Sequence, residues 1–306
     1  MPQHTFVAAV DIGASNTRVA IANADGEIEA RRATPFPGGP PEQVLERIGR
    51  TIDDLARGVW VGARAAAIGV VVPGSVDPAA GTVSTAANLV GWGDVPIETL
   101  LGGPRGVPVA MENDANAAAI GERWLGAAKG LDDFVFIAIG TGVGAGVIID
   151  GKLHRGAHFL AGEVAYFPMT PEQLREPGWD HCLESDAGGR AMQAKAIELL
   201  GEHAKVSELF DAASSGDQRA AAWLARIQDE LAMAVASIAA LLDPQAIIFG
   251  GGVASAQGER LVGPVREAAL RCLPSQPRIV LSELGEDAQI AGAIRLALDR
   301  LQEDRR

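Results

Sequence analysis

The sequence predicts an α/β protein of two related domains, and three observations carry that reading. A length of 306 residues exceeds one ordinary core, so two domains of about 150 residues each, with a cleft between them, are expected. Short apolar runs alternate with segments whose apolar residues recur at helical spacing, the pattern of an α/β chain. The third observation is repetition. "VAAVDIGASNTRVAIANADG" (7–26) passes from apolar run through small-residue knot to apolar run and Asp-Gly turn, and "FVFIAIGTGVGAGVIIDG" (134–151) repeats that order, as a duplicated unit would.

Residues 5–11 and 17–23 read as the strands of a hairpin, with "GEIEARRATP" (26–35) as a third strand. After the loop "PFPGGPP", apolar residues at Val44, Leu45, Ile48, Ile52 and Leu55 mark an amphipathic helix. "AAAIGVVVPGSVDP" is a buried strand ending in a turn, "VPVAMEND" another strand, and "ANAAAIGERWLGAA" a helix of strong formers. Beyond "KGLDD" the second hairpin begins. "LARIQDELAMAVASIAALL" (224–242) is a long helix stopped by Asp243-Pro244, "AIIFGGG" a strand, and "AQIAGAIRLALDRL" (288–301) a closing helix.

Composition narrows the function classes. Hydrophobic residues make up 48% of the chain and glycines number 37, with a mean hydropathy of +0.14, which describes a packed protein rather than a disordered one. A net charge of -13, from 26 basic and 39 acidic residues, opposes binding to nucleic acid or to an anionic membrane surface. A small-molecule partner is expected. Cys182 and Cys272 stand far apart and form no disulfide framework or paired-cysteine metal site, which suits a reducing cytoplasm. The start "MPQHTFVAAV" lacks a cationic, apolar leader, and no run of 18 apolar residues is free of many glycines.

Turns of small residues let backbone N–H groups converge into a nest for anionic oxygens, and phosphate is the natural guest. A single hairpin can need glycine for geometry alone, but two at equivalent places in two halves favour phosphate. Asp11, at the end of the first strand, is placed to hold a phosphate-bound Mg²⁺ directly or through water, or else to initiate the turn. Gly140, Gly142 and Ala145 match the loose dinucleotide fingerprint, yet that motif needs a helix next, and "VIIDG" reads as a strand. Gly250, Gly251 and Gly252 follow a buried strand, as a bed for a nucleoside or as an ordinary strand-to-helix turn. Glu112, Asn113 and Asp114 separate a strand from a helix. One cap explains one of them, and with a hydroxyl-bearing substrate Asp114 is positioned to act as general base in phosphoryl transfer.

The strings "DIGASNTRVA", "VVVPGSVDP", "AANLVGW", "MENDANAAAIGE", "IAIGTGVGAGVIIDGKLHRGAHFLAGEVAY" and "LDPQAIIFGGGVA", in this order from about residue 6 to residue 299, together resemble the ROK family of bacterial sugar kinases and their regulator relatives. The resemblance implies the actin-like ATPase (hexokinase-type, ribonuclease H-like) fold. That fold has two domains, each a mixed five-stranded sheet flanked by helices, with sugar and ATP in the interdomain cleft. It implies a small domain of residues 1–114, completed by the helix at 287–306, and a large domain of residues 115–286. By it, Asp11, Gly13, Ser15, Asn16 and Thr17 belong to the first phosphate loop, and Gly140, Thr141, Gly142, Val143 and Gly144 to the second. Gly250, Gly251 and Gly252 form the adenosine loop. Gly74, Asn88, Asn113, Asp114, Glu163 and Glu184 fall where family members touch the sugar, and Asp114 falls on the catalytic base. ATP and Mg²⁺ are the implied cofactors, and a homodimer is the usual assembly.

Two departures stand out. Where relatives have "GEIGH" this chain has "GEVAY", so Tyr166 replaces a histidine that commonly ligates zinc and touches the sugar. The cysteine-rich zinc loop is replaced by "TPEQLREPGWDHCLESDAGG", which keeps Cys182 and Glu184. One cysteine beside His181 falls short of the four N or S ligands of a structural zinc, so none is expected. The leading expectation is an ATP-dependent kinase acting on the primary hydroxyl of a hexose. A sugar-responsive regulator would carry a DNA-binding segment before the first hairpin, where four residues stand, and a pseudokinase would lose Asp114 or the phosphate glycines.

Overall fold

The computed structural model describes residues 5–60, 62–85, 89, 91–175 and 182–303. The chain divides into two compact units, one of residues 1–125, 156–160 and 287–306, the other of residues 126–155 and 161–286.

The first unit opens with β1 (Thr5–Ile12), β2 (Asn16–Ala22) and β3 (Ile28–Pro35), followed by α1 (Pro41–Val59) and β4 (Arg64–Val72). A small sheet of β5 (Ser75–Asp77), β6 (Thr82–Thr85) and β7 (Val95–Pro96) leads through a π-helical turn at Glu98–Gly102 to β8 (Val109–Asn113) and α2 (Asp114–Leu125). The main sheet has the order β3-β2-β1-β4-β8, with β1 antiparallel to β2 and parallel to β4. Val44, Leu45, Ile48, Ile52 and Leu55 of α1 are buried against one face with Phe6, Val10 and Val70. The other face packs on the C-terminal helix through Ile290, Ala293, Ile294 and Ala297. A Cβ at Gly292 would meet the Ala117 carbonyl oxygen at 1.9 Å, so only glycine lets α2 and the C-terminal helix approach this closely.

The second unit contains β9 (Phe134–Ile139), β10 (Val143–Ile149), β11 (Lys152–Leu153), α3 (Leu183–Ala187), α4 (Gly189–Leu200), α5 (Val206–Ser214) and α6 (Gln218–Leu242). It ends with β12 (Ala246–Gly250), α7 (Gly252–Gln257), α8 (Glu259–Cys272) and β13 (Arg278–Leu281), and α9 (Ala288–Glu303) returns to the first unit. Its sheet order is β11-β10-β9-β12-β13. Val135, Ile137, Ile247 and Phe249 face a core built from α3 to α6 and α8. α6 starts six residues before its expected first turn, capped by the Asp217 side chain on the Arg219 and Ala220 amides. It stops at Asp243, whose φ of 44° ends the helix just before Pro244. Among the described residues no helix is long and apolar enough to cross a membrane.

Candidate active site

In the first unit β1 and β2 turn through Gly13–Ser15, closed by the Gly13 amide donating to the Asn16 carbonyl at 2.8 Å. A Cβ on Gly13 would lie 2.9 Å from that same carbonyl oxygen, so the turn itself requires glycine. Ala14, Ser15 and Asn16 are exposed and Thr17 is buried, its Oγ1 finding no hydrogen-bond partner among the described residues. The hairpin register sets Asp11 opposite Arg18, and the guanidinium meets Asp11 Oδ2 through Nε at 2.8 Å and Nη2 at 2.6 Å. Burial pushes the Asp11 carboxyl above its ordinary value, while Arg18 pulls it down. The sequence signal for this pair is the hairpin register, which sets the two residues opposite one another across the turn.

Asp11 therefore brings one buried carboxylate with Oδ2 already paired. Among the described residues no three His, Cys, Asp or Glu side chains gather around a common point. That donor set fits Mg²⁺ in the way Mg²⁺ is held beside a triphosphate, through waters and phosphate oxygens with few protein ligands.

The polar triplet after β8 divides its work. Glu112 is buried, its Oε1 accepting from the Asn113 amide at 3.1 Å and from Asn116 Nδ2 at 3.0 Å. Asn113 Oδ1 accepts from the Asn116 amide at 2.8 Å, the helix cap. Asp114 is the exposed member, at the first residue of α2, with Oδ1 accepting from the Ala115 amide at 2.9 Å. Gly74 lies in the turn between β4 and β5 at φ 102°. Asn88 lies outside the described residues, as does His181.

In the second unit β9 and β10 turn through Gly140–Gly142, and β10 continues as a strand, not as the helix a dinucleotide site needs. The turn is gripped from α3 and α4: the Gly189 amide donates to the Gly140 carbonyl at 2.9 Å and the Arg190 amide to the Thr141 carbonyl at 3.0 Å. Glu184 of α3 completes the grip, its Oε2 accepting from the Val143 amide at 2.9 Å. α3 is too short, at five residues, to show a helical period, and α4 carries one, with Met192 and Ala196 buried four residues apart, that the sequence reading does not include. Gly144 lies on β10. Glu163 precedes a helical turn at Val164–Tyr166. Tyr166 is 44% exposed, and partial burial, then Glu163 and Glu184, raise its phenol above the ordinary value. Cys182 is a buried free thiol at the start of α3.

Gly250 and Gly251 have packing reasons of their own. A Cβ would meet the Phe136 ring at 2.4 Å from Gly250 and the Ile139 carbonyl oxygen at 2.6 Å from Gly251. A Cβ on Gly252 meets nothing within 4 Å, so of the three it is the one whose lack of a side chain the protein itself does not explain.

Residues 7–300 match the sequence profile of the ROK family. The chain belongs to the ROK family. It is 34% identical to the glucokinase of Thermotoga maritima over 313 aligned positions, covering 95% of this chain and 97% of the relative. The ROK hexokinase of Thermus thermophilus superposes with a TM-score of 0.85 at 29% identity, over 97% of this chain and 99% of that one. A ROK glucokinase of Streptomyces griseus in complex with glucose and AMPPNP superposes with a TM-score of 0.78 at 29% identity, over 96% of this chain and 99% of that one. These neighbours carry the actin-like ATPase fold, and the likeness places this ROK chain among the family's sugar kinases, phosphotransferases with an alcohol acceptor.

Proposed function

We propose that this ROK protein transfers the γ-phosphoryl group of ATP to the primary hydroxyl of a hexose, with glucose as the default sugar and Asp114 as general base. The observation that carries the reading is the division of labour after β8. Glu112 and the side-chain oxygen of Asn113 are committed to the buried network and the cap, and Asp114 is left exposed at the head of α2. A carboxylate there takes the proton of the sugar hydroxyl as its oxygen attacks the γ-phosphorus. The bond from that phosphorus to the β,γ-bridging oxygen breaks, and ADP and the sugar 6-phosphate result. The β1–β2 and β9–β10 hairpins are assigned to the phosphates, Gly252 to the nucleoside, and Gly74, Asn88, Asn113, Glu163, Glu184 and Tyr166 to the sugar. Mg²⁺, held through water by Asp11, would supply charge neutralisation on the triphosphate.

A coupled ADP-release assay over glucose, fructose, mannose, allose and the N-acetylhexosamines tests the reading. At least one hexose should drive turnover, and Asp114→Asn should abolish most of it while sugar binding persists. Sugar binding without ADP release from the unaltered chain would favour a regulator or pseudokinase instead.

A further inference from the structure

The amide of Val143 belongs to the hairpin assigned to phosphate, yet it is already in use. Glu184 Oε2 sits 2.9 Å from that amide. A Cβ on Gly142 would fall 2.0 Å from the same oxygen and 2.7 Å from Glu184 Cδ. The carboxylate thus fills the space that the missing Gly142 side chain leaves over the turn. It does not reach there on a loose tether. The start of α4, which directly follows its helix α3, is fastened to the turn by the two backbone hydrogen bonds from Gly189 and Arg190, and a Cβ on Gly189 would lie 2.2 Å from the Gly140 carbonyl oxygen. The backbones of the α3–α4 junction and the hairpin therefore touch directly.

A turn of convergent N–H groups attracts an anion, and here the protein supplies one of its own. A phosphate arriving at the same turn meets a like charge and a donor already engaged, and both weaken its binding. We propose that Glu184 is an internal anion of the second hairpin, which a nucleotide phosphate must displace or share, and that hexose hydroxyls drawing on Glu184 relieve it. The inference rests on the assignment of the hairpin to phosphate and of Glu184 to sugar. Its consequence is a positioning role: Glu184 makes nucleotide binding depend on sugar. Linkage makes the dependence reciprocal, so sugar binding depends equally on nucleotide.

The charge-free variant Glu184→Gln keeps an oxygen to accept from Val143 and so separates charge from anchoring; Glu184→Ala removes both. Mg²⁺·AMPPNP affinity is measured by titration calorimetry for the unaltered chain and both variants, with and without a saturating hexose chosen from the turnover assay. The unaltered chain should bind AMPPNP at least about fivefold more tightly with sugar present. Glu184→Gln should bind AMPPNP about three- to tenfold more tightly than the unaltered chain without sugar, with the sugar enhancement falling toward one. Unchanged or weaker sugar-free binding in both variants, with the enhancement intact, overturns the inference and leaves the kinase reading standing. An unaltered chain that binds AMPPNP under no condition overturns the kinase reading and this inference with it.

Discussion

The two five-stranded sheets follow one plan: an antiparallel hairpin beside two parallel strands, ordered β3-β2-β1-β4-β8 in one unit and β11-β10-β9-β12-β13 in the other. Their strand ends are finished in opposite ways. At the first hairpin a buried acid, Asp11, is neutralised by a base from its own hairpin, Arg18. At the second, a backbone donor is met by an acid from a separate helix, Glu184. After the outer parallel strands the contrast sharpens. β8 runs into α2 with Asp114 exposed, whereas β13 is followed by Ser282, whose amide donates to the Phe249 carbonyl at 2.7 Å and whose Oγ accepts from the Gly285 amide at 2.8 Å. Duplicating a backbone plan therefore did not duplicate its chemistry, because chemistry is set by the side chains that cap each strand end.

The largest expected effect tests whether the base belongs to one unit. Asp114→Asn or Asp114→Ala should cut turnover by about 10² or more with sugar affinity largely kept, read by steady-state kinetics beside sugar titration. A variant within tenfold of the unaltered rate would erase this difference between the two strand ends. Next comes the neutralised acid. Arg18→Met leaves Asp11 buried without its counterion, and because the Arg18 side chain is still 26% exposed the expected cost is about 1–3 kcal/mol, below that of a fully buried pair. Urea unfolding measures it, and the double variant Asp11→Asn/Arg18→Met should recover most of the loss.

The two hairpin glycines give a smaller and more selective test. Gly13→Ala pushes a methyl into the Asn16 carbonyl, part of the turn's own backbone, and should cost about 1–2 kcal/mol. Gly142→Ala pushes against the end of the Glu184 side chain, which can swing away, so stability should change by less than about 0.5 kcal/mol. Equal losses in the two variants would mean that both turns are constrained alike, and the comparison of hairpins would fail.

The parts legible in the sequence were those with a strong local period or punctuation. The α1 stripe from Val44 to Leu55, both glycine hairpins and the Asp243-Pro244 stop are local signals, and each is found in the structure. The family strings carried the fold as a whole. The β5–β7 sheet escaped notice because its strands are two to four residues long and lie among glycines, prolines and threonines. The engagement of Glu184 escaped for a different reason. It joins residues 41 positions apart, and no spacing rule connects a helix acid to one amide of a distant turn. The roles within "END" were half visible: a cap was foreseeable, but that Asn113 would be the cap and Asp114 the exposed acid depends on how β8 delivers the chain to α2.

The smallest effect concerns how each unit treats a buried acid paired with an arginine. Arg18 meets Asp11 and the uncharged Gln289, to whose Oε1 its Nη2 donates at 3.3 Å, whereas in the second unit Arg226 bridges two acids, its Nη1 on Glu230 Oε1 at 2.6 Å and its Nη2 on Asp186 Oδ1 at 3.0 Å. Gln173 Nε2 also reaches Asp186 Oδ2, at 3.4 Å. Glu230 is 6% exposed and its Oε2 has no partner among the described residues. Burial, then Asp186, raise its pKa above the ordinary carboxylate value, and Arg226 offsets them only in part. A folded-state pKa above the unfolded one means that the folded protein takes up the proton first, so Glu230 disfavours folding at neutral pH and that penalty fades as pH falls through the raised value. Glu230→Gln removes the charge and keeps an oxygen for Arg226. It should be neutral or slightly stabilising at pH 7, with the advantage shrinking as pH falls through the raised value in paired urea melts. An advantage that grows as pH falls would show that Arg226, and not burial, governs this carboxylate, and would make the two units alike in how they hold a buried acid.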